Sequence, residues 1–550
     1  MMNKNSLNKT ITVILILLFS ITYLKCKKNS GSNPEGISCD PGYEYINGYC
    51  REVFSIGEGS SNTFQPLRDN SNGLSSNGNG GLKIDYNAMR TDYVWIANSD
   101  EDTVSKIDVA TGCEKARYFV CNRPNRIAVD RFGNAVVACL EDSQIVKLSA
   151  HERNCVDSNN NTVINTSTDV SGDCVISPDE MVANDECILW SAVPDNPSCT
   201  NSCGRAVGVD RDNNIWAGFY ASKKLIKLDG DNGTILDSIV LSYYPYGLAI
   251  DSNGSLWISS RDGSGYLVKI DPSNGAESDY SVPGNATYHL AIDPFDKVWV
   301  ASGEDGGVHR FDPSDETWDT FSNLGRGHTR DIAISSIRDS QGDINESKVF
   351  VSHHTWATVC TSDNTHRYIS VINALTHIEG TPIDLGSDRA PIALSLDSNN
   401  SLWSANRCDS STSKINTYNG SVIGTYPVGL GPYVAGDQTG HAFQTIVSPS
   451  GYIRTVKQGY LDGNTSWDGI DVDATLSGST GMDLQIRYRT ADSEFNLREA
   501  QWQGPILYNS LPAVLNNVTG NYIEVEVVML RYNPLLSAEI HSIKMMAHKF

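Results

Sequence analysis

The sequence lacks an apolar run long enough to span a bilayer, a cysteine beyond Cys408, and the basic surplus of a polyanion binder. Its longest apolar stretch, Ile11 to Leu24, has 14 residues, short of the ~20 a transmembrane helix needs. Lys and Arg number 42 against 65 Asp and Glu, giving a net charge of −23. Phosphate neutralisation requires clustered cations, so a nucleic-acid partner is excluded, as is docking on an anionic membrane face. No CxxC pair occurs, and Cys199 and Cys203 form a CxxxC without a matching partner pair, which argues against structural zinc. The sequence also has no Gly-x-Ser-x-Gly, no P-loop and no dinucleotide fingerprint, so nothing in it specifies an enzyme.

What is present begins with an export signal. Lys4 and Lys9 form a basic region ahead of Ile11–Leu24, and Cys26 follows at once. This order predicts a signal peptide over 1–25 and a bacterial lipoprotein acylated on Cys26. Lys25 and Tyr23 are unusual residues before such a cleavage point; ordinary secretion is the alternative. The expected location is the outer membrane or cell surface, otherwise the periplasm or medium, with membrane contact only through the N-terminal lipid. Without Cys26, 12 of the 13 cysteines remain, an even number suited to disulfides in an oxidising compartment. Cys39 and Cys50 bound a short loop similar to one lobe of an EGF-like module. Gly57 to Gly81, rich in Ser, Asn and Gly, reads as a flexible tether, so 26–91 is expected to be a Cys loop (39–50) and a linker.

The middle of the chain repeats. An apolar strand ends in Asp, an Asn/Gly turn follows, and a second strand is centred on Trp: GRAVGVDRDNNIWAGF, PYGLAIDSNGSLWISS, TYHLAIDPFDKVWVAS and PIALSLDSNNSLWSAN. Trp216, Trp257 and Trp299 are spaced by 41 and 42 residues, the period of a four-stranded β-propeller blade. Counting second strands gives seven: YVWIAN, AVVAC, IWAGF, LWISS, VWVAS, VFVSH and LWSAN. The predicted fold is therefore all-β, a seven-bladed propeller over 92–440. The first blade lacks an inner strand upstream of Trp95, and GPYVAGD (431–437) resembles an inner strand without a partner. Ring closure by residues near 433 reconciles the two. The alternation after Thr439, as in WDGIDVDATL and YIEVEVVML, predicts an antiparallel β-sandwich over 441–550.

These repeats resemble NHL, YVTN and streptogramin-lyase-like (virginiamycin B lyase-like) propellers, and the C-terminal region resembles jelly-roll modules of bacterial surface proteins. The first resemblance implies a lyase constellation, with His before the inner-strand Gly, Glu three after the Trp of the matching blade, and magnesium. The corresponding positions here carry Tyr246, Tyr288 and Arg330, then Ser260, Ser302 and His353. The lyase machinery does not carry over, and the reading leans away from an enzyme.

An insertion at about 150–185 interrupts the period. Asp157, Asn159 and Asn161 sit at alternate positions in DSNNNTVINTST, a degenerate calcium loop and the one cofactor suggestion in the sequence. Thr162 replaces the usual Gly and Thr168 the usual Glu. The alternative is an Asn-rich loop braced by Cys155, Cys174 and Cys187.

In a propeller, residues just before each first strand and just after each second strand gather at one mouth of the channel. This register places Arg126, Arg205, Tyr246, Tyr288, His289, His328, Arg330, His353, Arg407 and Tyr433 there. Convergent polar groups in a concavity are a default binding site. Seven of the 11 His lie between 289 and 377, without ligand spacing on one strand. The same register predicts bridges 139–203 and 360–408 beside 39–50. The expected function is a binding or interaction scaffold for a small anionic or carbohydrate ligand, or for a surface protein. The alternatives are a lyase- or lactonase-like propeller enzyme with other catalytic residues, and a glycan-binding adhesin acting through the sandwich.

Overall fold

The computed structural model describes residues 26–28 and 37–549, except 197, 262, 264, 323, 325–326, 339–343, 355–359, 361–366, 387–388, 461–464, 477–481 and 532–537. The 1–25 segment and Cys26 acylation lie outside what can be described. No helix among the described residues is long and apolar enough to cross a membrane. The chain forms two compact units, Met89–Pro449 and a second made from Met1–Ala88 with Ser450–Phe550.

Among the described residues of Met89–Pro449, seven antiparallel sheets follow one another along the chain, a propeller-like all-β arrangement. The repeat Asp explains the local fold. Asp251 Oδ1 accepts the backbone N–H groups of Asn253 and Ser255 at 3.0 and 2.9 Å, which closes the turn between the first two strands. Its Oδ2 accepts the Trp257 indole N–H at 2.9 Å. Asp293–Trp299 and Asp397–Trp403 repeat the contact at 3.0 Å. One carboxylate thus fixes the turn and satisfies the polar atom of a fully buried Trp. Where Trp is absent or differently set, Lys takes that oxygen: Lys147 on Asp130 at 2.7 Å and Lys227 on Asp210 at 2.9 Å.

The first sheet has three strands, Tyr93–Asn98, Thr103–Asp108 and Glu114–Phe119. Late residues complete it. Asn98 bridges Pro432, Tyr433 N–H donates to Ala97 O at 3.1 Å, and Trp95 N–H donates to Gln438 O at 3.0 Å. A closed edge leaves no strand groups unpaired. The insertion lies between the third and fourth strands of the second sheet, Ile145–Leu148 and Ile188–Ala192. Residues 441–449, expected in the sandwich, belong to this unit, where Phe443 and Val447 join the core.

Among the described residues of the second unit, the two larger antiparallel sheets form a sandwich around one core that includes Trp467, Ile470, Ile486, Val525 and Ile543, and Cys26–Lys28 pairs separately with Ile37–Cys39. The 57–81 segment is no tether. Tyr49–Gly57 pairs with Ala538–Lys549, Ser71–Asn72 with Ser450–Gln458, and Leu82–Ile84 with both Leu74–Ser76 and Ala538–Lys549. Phe64, Leu74, Leu82 and Ile84 are core residues. The Ser/Asn/Gly composition marks tight turns rather than flexibility: Gly57, at φ +112°, has no room for a Cβ beside the His541 carbonyl oxygen.

Six disulfides form among the described residues, the usage of an oxidising compartment. Cys39–Cys50 closes the short loop as expected, and Cys360–Cys408 agrees with the register. The 139–203 bridge does not form. Cys139 pairs with Cys121, which leads into the first strand of the same sheet, and Cys203 pairs with nearby Cys199. Both cysteines do lie close together, since Cys203 N–H donates to Leu140 O at 2.9 Å. Each has a partner nearer along the chain.

Candidate binding site at the channel mouth

Seven of the expected mouth residues come together as one belt of alternating guanidinium and phenol groups. Each stands at the entry or exit of an inner strand pair. The Tyr246 and Tyr288 rings meet at 4.9 Å, and the Tyr288 and Tyr433 hydroxyls hydrogen-bond at 2.5 Å. The Arg126 and Arg205 guanidinium carbons lie 5.1 and 4.8 Å from the Tyr246 ring. Arg330 lies 4.4 Å from Tyr288, and Arg407 5.4 Å from Tyr433. An eighth member, Arg261, stacks between Tyr246 and Tyr288 at 5.3 and 5.2 Å. The sequence reading missed it, although it follows rim position Ser260 just as Arg407 follows Asn406.

The belt members differ in what holds them. Arg407 donates to both Asp100 carboxylate oxygens, at 3.2 and 3.0 Å, and to Gly431 O at 2.9 Å. It therefore braces the closing segment. Arg330, fully buried, donates through Nε to His354 O at 2.8 Å. Arg126 is 2% exposed and donates only through Nη1, to Asn125 O and Oδ1 at 3.2 and 2.6 Å. Its Nε and Nη2 are buried with no hydrogen-bond partner among the described residues. Arg205 Nη1 and Arg261 Nη1 each lie 3.4 Å from the Tyr246 hydroxyl, and Arg261 also reaches Glu304 at 3.2 Å.

An open cleft of about 400 Å³ lies over this part of the belt. Arg205, Tyr246, Arg261 and Glu304 line it together with Ser202, Ser260, Thr287 and Ser302. Burial alone would raise the Tyr246 phenol, but Arg205, Arg126 and Arg261 outweigh burial and bring it down to about 7. Burial raises Tyr288, and the negative charge of Tyr246 adds to the effect. Tyr433 is raised further for the same two reasons, burial first and then Tyr288 and Tyr246.

The three histidines expected at the mouth are not in the cleft lining. His289 lines the apolar channel below, its Nδ1 2.6 Å from Asp331 Oδ1. His353 is turned into its own sheet, between Ser370 Oγ at 2.9 Å and Gly327 O at 3.3 Å. His328 is half-buried, and its carbonyl accepts the His354 N–H at 2.8 Å.

In the insertion, Asp157 accepts the N–H groups of Asn161 and Thr162 at 3.1 and 2.7 Å, and Asn161 Oδ1 accepts that of Val163 at 2.8 Å. Glu186 is the carboxylate that closes this loop, accepting the N–H groups of Asn159 and Asn165 at 3.2 and 2.8 Å. A second loop, Asp169 to Glu180, repeats the pattern. Asp169 accepts from Asp173 and Cys174, and Glu180 from Ser171 and Ser177. Thr162 and Cys174 both take the left-handed conformation, at φ +66° and +70°, that the loop's sixth position requires. The spacing Asp169, Ser171, Asp173 and Glu180 was the overlooked sequence signal.

On the sandwich, Trp502 lies beneath Arg454, Arg487 and Arg489 at 5.3, 5.2 and 4.4 Å, so this ring is a packed element and not a bare sugar platform.

No family model and no curated protein matches the chain. Among solved structures it is similar to a virginiamycin B lyase from Staphylococcus aureus, at 13% identity and TM-score 0.40, covering 57% of this chain and 89% of that one. A streptogramin B lyase structure gives 13% and 0.40, covering 65% and 95%. A hydrazine synthase from Kuenenia stuttgartiensis gives 11% and 0.42, covering 60% and 92%. The fold assignment rests on the sheets and hydrogen bonds described above, and function has to be read from the site.

Proposed function

We propose that this protein is an exported, lipid-anchored envelope protein with a seven-bladed propeller and a jelly-roll module, and that the propeller mouth binds a small anionic ligand of the sugar-acid class without transforming it. The observation that carries this reading is an open polar cleft lined by Arg205 and Arg261 around Tyr246, with Arg126, whose Nε and Nη2 have no hydrogen-bond partner among the described residues, buried against the same ring. Guanidinium forks of this kind suit carboxylate, and the Ser and Thr hydroxyls along the cleft suit sugar hydroxyls. Calorimetric titration with galacturonate is the test. Arg205→Ala should weaken binding by about 1.5–3 kcal/mol, the range for charge-assisted hydrogen bonds, with the fold retained. If Arg205→Ala and Arg126→Ala both unfold, and no anion raises the wild-type melting temperature, the arginines are braces and the reading fails.

A second reading concerns the insertion. The shared hydrogen-bond pattern of the two loops favours two structural calcium ions, one with Asp157, Asn159, Asn161 and Glu186, the other with Asp169, Ser171, Asp173 and Glu180. Chelation should then lower the propeller's melting temperature and open the insertion to proteolysis. Elemental analysis finding no calcium in the purified protein, with no effect of chelator, sinks this reading.

A further inference from the structure

Among the described residues, one carboxylate, Glu304, meets the three cations around Tyr246. Among the described residues neither Arg126 nor Arg205 has a carboxylate at ion-pair distance; their polar contacts are Asn125 and the Tyr246 hydroxyl. Arg261 has one, Glu304, whose side chain is 65% exposed. Burying a guanidinium without a counter-ion is costly. The Tyr246 phenol is a titratable group that meets all three, with its ring 5.1, 4.8 and 5.3 Å from the Arg126, Arg205 and Arg261 guanidinium carbons and its hydroxyl 3.4 Å from Arg205 and Arg261. The other groups facing it do not compete for that role. Tyr288 is shared with Arg330 and bonded to Tyr433, the Tyr220 hydroxyl donates to Arg261 O, and His289 is held by Asp331.

We propose that the Tyr246 phenolate is the resident counter-ion of Arg126, Arg205 and Arg261, and that an incoming sugar carboxylate replaces it, so that binding takes up one proton. The inference rests on the anion-binding reading above. The step balances simply: the phenolate oxygen takes a proton from solvent, the neutral phenol withdraws from the guanidinium groups, and the ligand carboxylate takes over their charge. No bond to the ligand forms or breaks. The phenol's depression to about 7 sets the window. Above it, ligand competes with a charge already in place, and affinity should fall up to tenfold per pH unit. Below it, affinity should be flat.

The test is calorimetric titration of the full chain at about pH 8, within that window, in buffers of different ionisation enthalpy. Galacturonate is the ligand, with galactose and sulfate as controls. Galacturonate and sulfate hold constant charge across the range, so any proton taken up belongs to the protein. Uptake of close to one proton with galacturonate and no binding of galactose are expected. Tyr246→Phe should bind galacturonate without proton uptake, and more tightly than wild type at alkaline pH. If that variant does not fold, the ultraviolet phenolate band of the wild-type protein, bleached on adding galacturonate, is the second measurement. Galacturonate binding with no proton uptake and no bleaching overturns the exchange but leaves the mouth as an anion site. Proton uptake with sulfate but not with galacturonate overturns the sugar acid as occupant. No binding of any anion removes the underlying reading as well.

Discussion

A phenol held near neutrality must leave a mark on stability even without ligand. The ordinary tyrosine value is 10.0 and Tyr246 stands at about 7. Between those values the folded chain carries one proton fewer than the unfolded chain, so unfolding free energy rises with pH across the window. The stabilisation is complete above about pH 10 and lost as pH falls through about 7. Three units at 1.36 kcal/mol each set a ceiling of about 4 kcal/mol, of which about 3 should develop between pH 7 and 9.5. Tyr288 and Tyr433 are shifted upward, so their opposite contribution begins only near pH 10. Tyr246→Phe keeps the ring that packs on Tyr288 at 4.9 Å and removes the titration. Eight of the ten Trp lie in Met89–Pro449, so tryptophan fluorescence during urea unfolding, with disulfides intact, reports that unit. Wild type should gain about 3 kcal/mol between the two pH values while the variant stays within about 0.5. Parallel pH profiles for the two proteins would refute the assignment of a phenolate to Tyr246.

Asp397→Ala removes the acceptor for Asn399 and Ser401 N–H, both at 2.9 Å, and for the Trp403 indole at 3.0 Å. Urea unfolding should show a loss of about 3 kcal/mol or more; a loss below about 1 would mean that the turn closes without its carboxylate. Cys26→Ser, with the rest of the N-terminus unchanged, should move the protein from the detergent phase to the aqueous phase of a partition assay. Unchanged partitioning rules out acylation at that residue.

The sequence exposed the fold wherever one residue does a repeated local job. Each Asp–Trp pair lies six residues apart inside one hairpin, so spacing alone predicts turn, strand pair and the phase of the next repeat. That phase was enough to bring Arg126, Arg205, Tyr246, Tyr288, Arg330, Arg407 and Tyr433 into one belt. What stayed hidden depended on partners distant in the chain. The 57–81 segment looks like a linker because short edge strands need few apolar residues. Its place is decided by Ser450–Gln458 and Ala538–Lys549, nearly the whole chain away. Glu186 is invisible as a loop ligand for the same reason, standing far outside the twelve-residue spacing in which the motif is read. The histidines failed differently. His353 has the right position along its strand, but its side chain turns to Ser370, and strand alternation could not reveal that choice at the strand's end.

An acidic chain with a basic mouth raises the question of whether its arginines serve the ring or a ligand, and the structure divides them by partner. Arg407 joins Asp100 and the Gly431 carbonyl, both beside the closing contact between Asn98 and Pro432. Its removal should act on closure. Arg330 donates through Nε to the carbonyl of His354, which directly follows the second strand of its own sheet. Arg126 and Arg205 contribute little to such bracing: among the described residues neither reaches a carboxylate, and both press on one phenol that borders an open cleft. The proposed exchange gives both a role: the phenolate is a temporary partner that yields the site to a carboxylate, whose two oxygens match the guanidinium fork.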